Sequence, residues 1–154
     1  MCLLAAGCGA QETPTANHGG ANEADIQRLS TPKQVVVDTQ AAARLQPLTR
    51  PDLELANMIA PQCDFSRDGR TLIAVSPSDA IARVAGTLLH FTHTSPAGPT
   101  GGFFEDRQVS ISVGRIGEIV PGEGAAGSWP GRITVTNRRA RAQVELDGIW
   151  RCGT

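Results

Sequence analysis

Between Cys63 and Cys152 apolar residues tend to alternate with polar ones, while just upstream their spacing is helical. Asp68-Gly69 is a hairpin signal, because both residues tolerate the left-handed backbone of a two-residue turn. Thr71-Leu72-Ile73-Ala74-Val75 follows it as a strand, and Pro77-Ser78-Asp79 turns the chain again. Ile81 to Thr94 reads as two strand pieces with Gly86 as the bend, bulge or tight turn between them. Val109, Ile111 and Val113 alternate with Ser110 and Ser112, and Ile133 and Val135 with Thr134 and Thr136. Such a period of two describes strands with one buried and one wet face. Asn137-Arg138-Arg139 turns the chain into Ala140, Ala142, Val144 and Leu146, and Asp147-Gly148 predicts one more turn before Ile149-Trp150-Arg151-Cys152. Ser95–Gly102 and Gly114–Pro130 read as loops by composition, the second with a short strand near Ile119-Val120.

Upstream, Leu53, Ala56 and Ile59 share one face of a predicted helix over Thr49–Ala60. Thr49 is its N-cap, Asp52 completes a capping box, Pro51 sits where its missing donor costs nothing, and Pro61 ends it. Ala41–Leu45 is a shorter helical stretch stopped by Pro47. Ala24–Leu29 is a weak helical turn, and Val35–Val37 a short edge strand. Six or seven short strands without helical crossovers predict a mainly β fold, a small antiparallel barrel or sandwich. One N-terminal helix packs on it, and a disordered tether precedes it.

Composition narrows the function more than the fold. The chain has 154 residues, 17 glycines, 10 prolines, no tyrosine and a formal charge of -1. Lys33 is its one lysine. No global field draws it to nucleic acid, so no nucleic-acid partner is expected.

Leu3-Leu4-Ala5-Ala6-Gly7-Cys8 resembles the lipobox of bacterial lipoproteins. The resemblance implies a diacylglycerol on the Cys8 thiol and cleavage just before it. It places the chain on the periplasmic side of a cell envelope, anchored to the outer rather than the inner membrane. No basic residue precedes Cys8, and the apolar stretch is about half of the 7–15 residues a secretory signal needs. A start further upstream would complete the signal; the alternative is an alanine-rich disordered terminus. Residues 1–8 are thus the lipobox remnant, 9–23 a polar flexible tether, and 24–154 a single β-rich domain with its core at 63–152.

Cys63 and Cys152 stand at the two ends of the β region. In an exported protein they would oxidise to a disulfide, closing a loop worth about 4–5 kcal/mol in the chain-entropy model. Buried free thiols are the alternative. Each stands apart from any other cysteine, so no metal pair forms.

Candidate chemistry is thin. His90 and His93 lie three apart on a strand, so they point to opposite faces and share no metal. Asp64, Asp68, Glu105 and Asp106 are the candidate acid–base carboxylates, but turns and strand ends hold such residues in water. Arg138, Arg139 and Arg141 form the one basic cluster, read as a solvated hairpin tip. His18 reads as a solvated tether residue, and Trp129 and Trp150 as core or barrel-end residues. Phe103-Phe104 is either a core plug or a contact surface. No catalytic residue, cofactor or metal is assigned.

The plan is similar, in architecture alone, to the small lipoprotein inhibitors of lysozyme, which share a lipobox, a compact barrel and a disulfide joining its ends. The resemblance implies an inhibitory loop, for which Ser95-Pro96-Ala97-Gly98 is the counterpart. The tyrosine or lysine beside that loop in the family has no equivalent, since Lys33 lies outside the barrel. The first expectation is a non-enzymatic envelope module with an unidentified protein or envelope partner, its surface at Ser95, Gly98, Phe103 and Phe104. An enzyme inhibitor is second and a small periplasmic hydrolase third.

Overall fold

The computed structural model describes residues 38–118 and 124–153. Cys8, the tether, the Ala24–Leu29 turn, the Val35–Val37 run and the Ile119-Val120 strand lie outside the described residues. A 3-10 turn, Thr39–Ala43, leads into β1 (Leu45–Gln46) and α1 (Arg50–Leu55). Eight further strands follow: β2 (Cys63–Arg67), β3 (Arg70–Val75), β4 (Ala80–Val84), β5 (Thr87–His93), β6 (Gly101–Glu105), β7 (Val109–Arg115), β8 (Gly127–Asn137) and β9 (Ala142–Cys152).

From β2 to β9 each strand pairs antiparallel with the next, and β9 returns to pair with β2. The result is a closed eight-stranded meander barrel, which needs no crossover helix. β1 extends the wall by pairing with the end of β4. Of the barrel and sandwich that the alternation allowed, the barrel forms. Its interior is filled by Phe65, Phe91, Phe104 and Trp150, all fully buried, with Ile73, Ile111, Ile133 and Val135 between them. Asp68 and Gly69, both with positive φ, make the β2–β3 turn, and Ala85 and Gly86 the β4–β5 turn.

The helix is much shorter than the Thr49–Ala60 stripe predicts. Its capping box is intact, with Thr49 Oγ1 accepting from the Asp52 amide and Asp52 Oδ2 accepting from the Thr49 amide. Yet it ends after six residues, because Asn57 takes a left-handed backbone (φ 55°) and redirects the chain. That move buries Met58 against Ala74 and Ile81 on the outer barrel wall and leaves Leu55 and Ile59 exposed. Among the described residues, the helix packed on the barrel is this one short turn and not the longer N-terminal helix expected. The Ala41–Leu45 stretch is likewise a 3-10 turn that runs into β1.

Glycines explain most of the other differences. Asp147-Gly148 makes no turn: β9 passes straight through it, paired residue for residue with β8. A side chain at Gly148 would collide with the Ser66 carbonyl and stand 2.7 Å from Phe65 Cζ. The glycine is there to admit the core ring, not to bend the chain. β6 and β8 begin inside segments that read as loops, at Gly101 and Gly127; β6 is an added strand, while β8 is the expected Ile133–Thr136 strand extended toward its start. Ala140 and Arg141, expected in a strand, belong to the β8–β9 turn, where Arg141 has φ 52°.

Candidate functional site

The loop between β5 and β6 is held in one shape by backbone and core together. Gly98 and Gly101 exchange two amide–carbonyl hydrogen bonds of 3.0 Å, which closes a tight turn with Pro99 and Thr100 between them. Ala97 is buried under the loop, and the Trp150 indole donates to the Gly98 carbonyl at 2.8 Å. A tryptophan in the barrel core thus fixes the height of the loop. Ser95, Pro96 and Thr100 stay exposed.

Of the four surface residues expected from sequence, the structure groups Ser95 and Gly98 and separates the two phenylalanines. Strand alternation turns Phe103 outward, 38% exposed, and Phe104 inward, fully buried. Phe104 therefore belongs to the core and not to a contact surface. On the outer wall Phe103 stands in line with Ser112, Thr134 and Glu145 of β7, β8 and β9. Trp129 and Trp150 are both buried, and the Arg115 guanidinium sits 5.1 Å from the Trp129 ring.

Each of the four candidate carboxylates has a structural partner, whereas of the two strand histidines one is paired through its ring nitrogen and the other is not. His90 Nδ1 lies 2.9 Å from Asp79 Oδ2 on the outside, while His93 packs edge-on against Phe104 with ring centres 5.7 Å apart. Asp64 is buried and grips Arg151 with both oxygens, at 2.7 Å on the closer side. The hydrogen-bonded partner favours the charged form, so Arg151 holds its proton more tightly than a free arginine. Glu105 pairs with Arg138 at 3.0 Å, Asp106 Oδ1 accepts from the Gln108 and Val109 amides, and Asp68 lies in an exposed pair with Arg67. Asp147 pairs with Arg132, whose guanidinium holds its carboxyl below the usual range.

Asp52 carries a role that local sequence could not reveal. Besides capping α1, it binds the Arg83 guanidinium of β4, and that bond and the Thr49 amide hold its pKa at about 2. Arg83 also donates to the Gly86 carbonyl, so one arginine ties helix, strand and turn together.

Clefts open in the barrel wall among the described residues. One, of about 880 Å³, lies between β5 and the β6–β7 turn and is lined by Leu89, His90, Thr92, Asp106, Arg107 and Asn137. Another, of about 640 Å³, runs beside β9. Both exceed a water cluster, so small ligands have room. Among the described residues no three of His, Cys, Asp and Glu gather as a metal site. No described serine or threonine is hydrogen-bonded to the His90–Asp79 pair through the His90 ring. Among the described residues no helix is long and apolar enough to cross a membrane. No family model, no curated protein and no solved structure matches the chain.

Proposed function

We propose that this chain is a lipid-anchored protein of a bacterial cell envelope whose barrel is a non-enzymatic interaction module. Its anchor is Cys8, and its binding surface is the Ser95–Gly102 loop with Phe103 beside it. The observation that supports this reading best is the double clamp on the loop, the Gly98–Gly101 backbone pair and the Trp150 bond to Gly98. A loop ordered before it meets a partner loses less entropy on binding, which is what a recognition element needs. A scaffold stapled by Cys63–Cys152 suits an oxidising compartment. The test is a photo-crosslinking residue at Thr100 in intact cells, with Thr134 on the barrel wall as control. A discrete adduct from Thr100 alone is expected, and its absence sinks the loop as the surface. Loss of palmitate labelling in Cys8→Ser tests the anchor separately.

A second reading, inhibition of a cell-wall-degrading enzyme, draws on the same loop, since a fixed protruding turn can enter a cleft. It predicts inhibition of at least one lysozyme type, weakened by Ser95→Arg or Thr100→Arg. Full activity of every type in the presence of the barrel removes it.

A further inference from the structure

We propose that the groove beside β9 takes an acidic, extended peptide of a partner protein as an added strand. β8 pairs with β9 over its whole length, but β2 covers β9 only from Ile149 to Cys152. Past Ser66, β2 leaves β9 and enters the β2–β3 hairpin, and its pairing with β3 is irregular between Phe65 and Ser66. The Gly153 amide donates to the Gln62 carbonyl at 2.8 Å, so odd-numbered residues at this end turn their backbone toward β2. By the alternation of an antiparallel strand, Gln143, Glu145 and Asp147 turn theirs to the same side. No described strand pairs with them there. The open stretch is about 20 Å long at ~3.4 Å per residue, room for a six- or seven-residue strand.

The walls of the groove select the occupant. Leu45 and Leu72 are buried in it, and Val144 and Leu146 are half-buried on the β9 side. Three arginines, Arg44, Arg67 and Arg70, line it together with Asp68; Glu145 and Asp147 stand exposed on the bordering stretch of β9, and Asp147 is taken up by Arg132. Arg70 has no carboxylate at ion-pair distance among the described residues, and the pairs of Arg44 with Asp38 and Arg67 with Asp68 are exposed and exchangeable. Unpaired strand groups are completed by another backbone, which an acyl chain cannot supply. An added strand places alternate side chains on the leucines and the rest among the arginines, so alternating apolar and acidic residues fit. A second copy of this chain would bring its own arginines against these, and like charges oppose that pairing. The groove uses the first half of β9, whereas the Ser95–Gly102 loop is held by Trp150 near its end, so the two surfaces are independent.

The probe is a fluorescein-labelled seven-residue peptide alternating valine and glutamate, titrated with the full chain and followed by anisotropy. Saturable binding is expected, at least tenfold weaker for the Arg67→Glu/Arg70→Glu variant, and weaker in higher salt. Replacing the peptide's glutamates by lysine, or its central residue by proline, should abolish binding. Glu145→Pro removes one outward-facing amide and should weaken binding at least tenfold, provided its circular dichroism matches the parent. The two arginine changes are at exposed positions, so they decide the matter if the proline variant does not fold. Equal binding of the lysine peptide, no saturable binding, or an unaffected arginine variant overturns the proposal. So does a concentration-dependent dimer that excludes the peptide.

Discussion

Four residue pairs join β2 to β9, and only two join β5 to β6. The first ladder carries a disulfide between its directly opposed cysteines, with sulfurs 2.09 Å apart, and beside it the bidentate Asp64–Arg151 pair. The second carries neither and lies beside the larger cleft. The difference follows from chain length. β2 and β9 meet across 89 residues, β5 and β6 across one short loop, and the entropy of closing a loop rises with its length. The costly closure holds the covalent bond, while the cheap one tolerates a gap because the Gly98–Gly101 turn already returns the chain.

Removing that bond tests the comparison hardest. Cys63→Ala with Cys152→Ala should lower unfolding free energy by about 4 kcal/mol in urea titrations. A loss under about 1 kcal/mol would mean that the ladder closes without help. Asp64→Ala, on the same seam, takes a buried carboxylate from Arg151 and should cost about 2 kcal/mol, discounted because the arginine is half exposed. An equal cost in the presence and absence of the disulfide would show that the two act separately.

Away from both ladders, Asp52→Asn should cost about 2 kcal/mol at neutral pH. The folded-state pKa of about 2 lies below the ordinary 3.8. The stabilisation is therefore complete above pH ~4 and is lost as pH falls toward 2. The stability difference between the parent and Asp52→Asn, followed from pH 7 to pH 2, checks this; a difference that stays constant to pH 2 refutes the clamp. The smallest effect is Trp150→Phe, which keeps an aromatic core but deletes the bond to Gly98. It should cost about 1 kcal/mol and speed amide exchange at Gly98 and Gly101. Unchanged exchange would show that the glycine pair holds the loop alone.

Much of the barrel was legible. Alternation located β7, the middle of β8 and the first part of β9, the Asp68-Gly69 turn and the apolar run after it located β3, and the break at Gly86 divided β4 from β5, since these signals act between residues close in sequence. The same logic failed where a residue answered to a distant neighbour. Gly148 looks like a turn and is a gap for Phe65; Asn57 ends a helix whose stripe continues to Ile59, because Met58 finds a place on the barrel wall. The candidate surface divided in the same way: Ser95 was visible as part of a loop, but the Trp150 bond that fixes the loop spans 52 residues. The β9 groove had no local signal, since it is made by β2 ending early.

The sequence by itself determined the antiparallel alternation, the capping box at Thr49 and the two cysteines bracketing the β region. These depend on side-chain period and backbone preference, which neighbours set. Only the tertiary structure decided that the sheet closes, that Cys63 faces Cys152 in register, and that Asp52 meets Arg83. Those contacts are chosen by strand register and by packing across the barrel, and no window of adjacent residues contains both partners.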